Sequence, residues 1–186
     1  GAYTPVPQIP EEAVQQAISQ VLKPTAKGMV AEKRPFQGIL YAGLIQTATG
    51  PKVIEFNARF GDPETQVVLA RLESPLSEII SSLLAKEQPT IVWNELASVG
   101  VVVAAEGYPN QYKTNLPLPE MSGETIYYAG VTRSEQALVS AGGRIFLAEA
   151  TASTLQEARK KVYQTLDNYS FPGMYYRKDI GVKGLI

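Results

Sequence analysis

The chain has 186 residues, 45% of them hydrophobic, with 17 basic and 18 acidic side chains and a net charge of −1. This is enough for one core or two small ones, and so balanced a charge offers no broad field for nucleic acid or an anionic membrane. Cysteine and histidine are both absent, which excludes disulfides, thiolate nucleophiles, Ser-His-Asp and Cys-His catalysis, and the commonest zinc ligands.

Chemistry here must run on carboxylates, amides, basic side chains and backbone groups. Phosphoryl transfer suits that kit, because it depends mainly on positioning, cations and metal. No apolar run approaches the roughly 20 residues of a membrane span. No signal peptide is visible either, so a soluble cytoplasmic protein is the expectation.

Prolines at positions 5, 7 and 10 make the opening an extended loop, and Pro10-Glu11-Glu12 starts a helix. Val14, Ala17, Ile18, Val21 and Leu22 fall on one helical stripe, expected to be buried and to end at Lys23-Pro24. A short helix follows over Thr25 to Lys33. Gly38 to Thr47 and Lys52 to Arg59 read as a hairpin turning at Ala48-Thr49-Gly50, the first strand largely buried. Val67, Val68, Leu69 and Leu72 give one helix its apolar side, and Leu76, Ile79, Ile80, Leu83 and Leu84 give the next a core stripe.

Lys86 to Glu95 is polar and contains Pro89, as a junction between two units would. Beyond it come strands at Ser98 to Ala105, Thr125 to Val131, Ala137 to Ser140 and Arg144 to Ala150, with Gly142-Gly143 as a hairpin turn. Ser153 and Gln156 read as a capping box for a helix that turns Leu155, Ala158, Val162 and Leu166 inward. The tail carries closely spaced aromatics, Phe171 to Tyr176.

The stretch that concentrates chemistry runs from Lys52 to Gln66. Strand alternation places Glu55, Asn57 and Arg59 on one face. Oxygen ligands at i and i+2 suit Mg²⁺, and a neighbouring guanidinium suits phosphate. Asp62 fits an N-cap, Pro63 the first helical position and Glu64 the first turn, so that helix start would offer free N–H groups to an anion. An alternating strand running into a capped helix is also ordinary architecture, and both readings stand at this point. Lys23, Lys27, Lys33 and Arg34 read as a solvated face, and Tyr175, Tyr176, Arg177 and Asp179 as core tyrosines beside a surface ion pair.

The run Glu55-Phe56-Asn57-Ala58-Arg59-Phe60-Gly61-Asp62-Pro63-Glu64-Thr65-Gln66 resembles the signature of phosphoribosylamine–glycine ligases, ATP-grasp enzymes of purine biosynthesis. Gly1 to Pro7, Arg34 to Leu44, Ala105 to Pro109 and Tyr175 to Gly181 are similar too, in the family's order. Tyr128 departs from the pattern, standing where a histidine is expected.

The resemblance implies an α+β fold: residues 1–90 as the C-terminal part of an ATP-grasp module, then residues 96–186 as a small α+β C-terminal domain with a mainly antiparallel sheet. It implies ATP and Mg²⁺ (or Mn²⁺), with Glu55 and Asn57 as metal ligands. Arg59 would bind ATP and stabilise the transferring phosphoryl group, and Asp62, Pro63 and Glu64 would shape the substrate pocket. The small-molecule substrates would be ATP, glycine and 5-phosphoribosylamine, joined through a glycyl phosphate. The opening on Gly1-Ala2 suggests a C-terminal fragment whose partner is the missing N-terminal part of the same enzyme, and which is inactive alone. Another carboxylate–amine ATP-grasp ligase, or a non-catalytic nucleotide-binding module, stays open as an alternative.

Overall fold

The computed structural model describes residues 1–123, 125–135 and 137–186. The fold is α+β with antiparallel sheets. Two compact units form, and neither is one continuous stretch. Gly1–Pro5, Pro63–Arg71 and Asn94–Ile186 make one; Val6–Asp62 and Leu72–Trp93 make the other. These units are defined by spatial contact, and their segments interleave along the chain. Residues 1–5 and 63–71 fold with the C-terminal half.

In the first unit, β1 (Ala2–Thr4), β4 (Ala97–Ala105), β8 (Arg144–Ala152) and β5 (Thr125–Tyr128) lie in that order in one sheet, and β9 (Met174–Tyr176) also pairs with β4. The β-branched run of β4 is almost wholly buried because both faces of its sheet are covered. Ala97, Val99, Val101, Val103 and Ala105 face a core completed by α5 (Leu155–Asp167), whose Leu155, Ala158, Val162 and Leu166 are buried as the spacing predicts. At about 1.5–3 kcal/mol per fully buried aliphatic side chain, this layer dominates the unit's stability.

The helix start is one residue later than the sequence suggested. Thr154 is the N-cap, its Oγ1 accepting from the Glu157 N–H at 3.2 Å, while Ser153 Oγ donates to Glu157 Oε2 at 2.7 Å. On the opposite sheet face sit Ser98, Gly100, Val102 and Ala104. Here α3 (Glu64–Leu69) packs through buried Val67 onto Gly100.

Gly142-Gly143 is not the turn of a hairpin with β8. The strand before it, β7 (Leu138–Ser140), pairs with β6 (Val131–Arg133), and β8 belongs to the main sheet. The glycines serve close backbone packing instead. A methyl group at Gly130 would lie 2.7 Å from Gly142 Cα, and one at Gly143 would overlap the Tyr108 ring.

The second unit opens with α1 (Glu11–Ala17), which runs through a π-helical turn, Ile18–Leu22, straight into α2 (Lys23–Ala31). Pro24 does not end the helix as expected. A proline ring clashes with the carbonyl four residues back, and the wider π turn just before it relieves that conflict. Next come the hairpin strands β2 (Tyr41–Thr47) and β3 (Gly50–Asn57), then α4 (Leu76–Leu84).

The core stripes expected here are only partly realised. Ala13 and Ile79 are buried, but Val14, Ile80 and Leu84 are exposed, Leu84 at 72%. Residues 86–95 return along the start of the α4 segment, with an isolated bridge from Leu72 to Trp93 and the Glu73 N–H donating to the Val92 carbonyl.

Candidate functional site

β2 and β3 pair antiparallel from Tyr41 opposite Asn57 to Thr47 opposite Gly50. The register slips once. Gly43 faces Glu55 and Leu44 faces Val53, which leaves Ile54 as the extra residue of a β-bulge. Glu55 and Asn57 both lie beyond that bulge, so the i, i+2 relation holds and they share a face. Asn57 Nδ2 donates to Glu55 Oε1 at 2.9 Å, which fixes the two side chains against each other. Glu55 is exposed and Asn57 half-buried.

The partner strand is not the largely buried neighbour expected, since no β2 residue is buried. What restrains Glu55 is local. Gly43 stands directly across from it, and a methyl group there would come within 3.1 Å of Glu55 Cγ. Gly43 has no positive φ, so the lack of a side chain makes room for Glu55 and serves no turn.

Arg59 follows the strand, exposed, with Nη1 donating to the Phe60 carbonyl at 2.7 Å. Asp62 is exposed, while Pro63 and Glu64 are half-buried. The expected cap shifts by one residue: Pro63 holds the N-cap position, with φ −98° and ψ 16°, and Glu64 is the first residue of α3. With six residues, α3 has less than two turns of aligned peptides behind its N-terminus, so the anion site expected there is weak. The six candidate residues divide between the units: Glu55, Asn57, Arg59 and Asp62 belong to the second, Pro63 and Glu64 to the first.

Among the described residues no three His, Cys, Asp or Glu side chains gather to hold a metal. The donor set of the hairpin is one carboxylate and one amide oxygen. Such a set fits Mg²⁺, which keeps several waters and commonly takes one or two carboxylates plus substrate phosphates. Glu55 and Asn57 offer hard oxygens on one face of the hairpin.

The other sequence candidates fall into place. Lys23, Lys27, Lys33 and Arg34 are all exposed. Arg177 and Asp179 form a solvent-exposed bidentate pair, Nε to Oδ1 at 2.8 Å and Nη2 to Oδ2 at 2.6 Å. That pairing holds the Asp179 carboxyl below the usual carboxylate range and raises the Arg177 guanidinium. Tyr176 is half-buried and Tyr175 and Tyr128 are exposed.

Sequence reasoning missed Gly43, Arg144 and Glu149. Glu149 is a buried carboxylate on β8 that accepts from Ser98 Oγ at 2.7 Å. Burial pushes its pKa up, and the Ser98 hydrogen bond partly opposes that. Its burial follows from strand pairing, which the sequence alone does not reveal.

Residues 1–65 match the profile described as phosphoribosylglycinamide synthetase, ATP-grasp (A) domain, and residues 98–183 match phosphoribosylglycinamide synthetase, C domain. Phosphoribosylamine–glycine ligases of Halalkalibacterium halodurans and Lactococcus lactis are each 50% identical across the whole chain. The chain spans 44% and 46% of those relatives, less than half their length. The crystal structure of phosphoribosylamine–glycine ligase from Thermotoga maritima superposes with a TM-score of 0.86 at 29% identity, over 95% of this chain and 45% of that one. Urea carboxylase of Kluyveromyces lactis shares the fold alone, at a TM-score of 0.63 and 16% identity over 95% of this chain and 16% of its own.

Proposed function

Since this chain belongs to the phosphoribosylglycinamide synthetase family, we propose that it is part of an ATP-dependent ligase that joins glycine to 5-phosphoribosylamine. The reaction moves the γ-phosphoryl group of ATP onto the glycine carboxylate. The substrate amine then attacks the acyl carbon of glycyl phosphate, phosphate leaves, and the amine gives up a proton. The observation that carries the reading is the hydrogen-bonded Glu55–Asn57 pair on one face of the hairpin, followed at once by Arg59 and Asp62-Pro63-Glu64.

Glu55 and Asn57 would hold Mg²⁺ or Mn²⁺, which when bound would neutralise charge developing on the phosphates. Arg59 binds ATP and stabilises charge on the transferring group. Asp62, Pro63 and Glu64 shape the pocket for the acceptor substrate. Residues 1–90 act as the C-terminal part of the ATP-grasp module and 96–186 as the family's C-terminal domain. The substrates are small soluble metabolites, and the working location is the cytoplasm.

A chimera tests this. Residues 1–186 replace the matching segment of the Lactococcus lactis ligase, and ADP release is followed with ATP, glycine and 5-phosphoribosylamine. Release should require all three substrates, and Glu55→Gln should collapse it at limiting Mg²⁺ while the melt is unchanged. Equal turnover of the Glu55→Gln chimera would refute the metal role, and a folded but inactive parent chimera would refute the ligase reading.

A further inference from the structure

The sheet face opposite α5 carries a second polar site. Arg144 on β8 pairs with Ala104 on β4, and Ala104 pairs with Tyr175 on β9, so these three residues form one cross-strand row. Side chains in such a row share a face. Two residues back along β4, Val102 shares it as well. Arg177 lies just past Tyr176, which pairs with Val103, so the antiparallel register brings Arg177 beside Val102.

The result is a cavity of about 170 Å³ lined by Pro63, Val102, Ala104, Tyr175 and the two arginines, among others. The guanidinium-bearing residues Arg144 of β8 and Arg177, just past the end of β9, thus line one cavity together with Pro63. Asp179 holds two of the Arg177 N–H groups. A guanidinium has five, so three remain for a ligand, and their plane is already fixed.

We propose that this cavity is the subsite for the phosphate monoester of a sugar-phosphate substrate; the assignment rests on the ligase reading above. Paired arginines suit a phosphate dianion better than a single carboxylate, because their two positive charges match its two negative ones. The cavity is well below the roughly 300–1,000 Å³ of sites that enclose a whole drug-sized ligand, so it accommodates one anionic group and not a nucleoside. It is independent of the hairpin, since every lining residue belongs to the first unit. The C-terminal half would then grip the acceptor's phosphate, with Pro63 as part of the wall.

The test titrates the isotopically labelled chain with ribose 5-phosphate, inorganic phosphate, ADP and glycine, following amide NMR shifts. Ribose 5-phosphate should give saturable shifts at Val102, Ala104 and Tyr175, and inorganic phosphate should compete. Arg177→Gln should weaken binding about tenfold or more, as loss of a charge-assisted bidentate contact would. Arg144→Gln should do the same.

Lys178→Gln removes a neighbouring cation that does not line the cavity and should leave binding unchanged; an equal loss there would reduce the effect to general charge and overturn the site. Stronger binding of ADP or glycine at these residues would overturn the sugar-phosphate assignment, as would no binding at all. Glu55→Gln should bind ribose 5-phosphate normally, so a failed ligase reading and a failed subsite give different results.

Discussion

Gly100 carries a sharp consequence for how α3 is seated. A methyl group there would sit 2.8 Å from Val67 Cγ1 and 3.0 Å from both Leu147 Cδ atoms, against an optimum near 3.5–4.0 Å between carbons. Val67 and Leu147 are 1% and 3% exposed, so neither can swing into solvent. The backbone itself would welcome alanine, since Gly100 has no positive φ and glycine in a strand interior costs about 0.5–1 kcal/mol. Overpacking costs about 1–3 kcal/mol, and three simultaneous close contacts put this site toward the upper part of that range.

The net expectation for Gly100→Ala is destabilisation of the first unit by about 1–2 kcal/mol, or roughly 4–10 °C in its melting temperature. Nine of the ten tyrosines lie in that unit, so the near-ultraviolet tyrosine signal follows its unfolding. Adding Val67→Ala should return part of the loss, because the new methyl then occupies space the valine vacated. The double variant should therefore be more stable than the two single effects summed, by about 0.5 kcal/mol or more. An unchanged or raised melting temperature for Gly100→Ala would refute the close seating of Val67 on the sheet. Strict additivity would move the clash to Leu147.

Two further outcomes are expected. Glu149 has a raised pKa in the folded chain, so the folded state holds its proton at pH values where the unfolded chain has released it. Stability should fall as pH rises from about 4.3, the ordinary glutamate value, toward the raised one. Glu149→Gln should abolish that slope in melts run across the window, and a parallel pH profile would refute it. Gly43→Ala crowds the Glu55 side chain at 3.1 Å without straining the backbone. In the chimera it should raise the Mg²⁺ concentration for half-maximal rate several-fold, toward the roughly tenfold cost of losing a second-layer contact, with the rate at saturating Mg²⁺ retained. A loss of rate at saturating metal with no change in metal demand would show that Gly43 does not act through Glu55.

Much of the first unit was legible because its determinants are local. The β-branched run of β4 and the 3.6-residue stripe of α5 each bury as their periods demand. The one-residue slip at Ser153-Thr154 comes from adjacent residues of similar capping ability, while at Asp62-Pro63 the backbone path puts the N-cap position on Pro63, which makes no side-chain cap hydrogen bond. Pro24 was misread because a proline stop presumes an α-helical turn before it, and the chain supplies a π turn. Gly142-Gly143 was misread because glycine signals a need for space or for unusual dihedrals, and the pair alone does not say which. Here the need is for space, against Gly130 and Tyr108.

The candidate site divides along the same line. Glu55 and Asn57 were readable because an i, i+2 pattern in a strand puts side chains on one face whatever the strand packs against, whereas β3 ends at Asn57 and Arg59 lies beyond it. The Ile54 bulge could have broken that pattern had it fallen two residues later, between Glu55 and Asn57. It falls before both, so the pair survives and closes a 2.9 Å hydrogen bond.

Gly43 and Arg144 became visible only through registers that join them to Glu55 and Ala104, residues 12 and 40 positions away. Such pairings depend on which strands meet, and no local period encodes that. The apolar stripe of α4 marks the same boundary: its period correctly identifies the apolar side, while Leu84 at 72% exposure shows that period alone does not supply a neighbour to cover it.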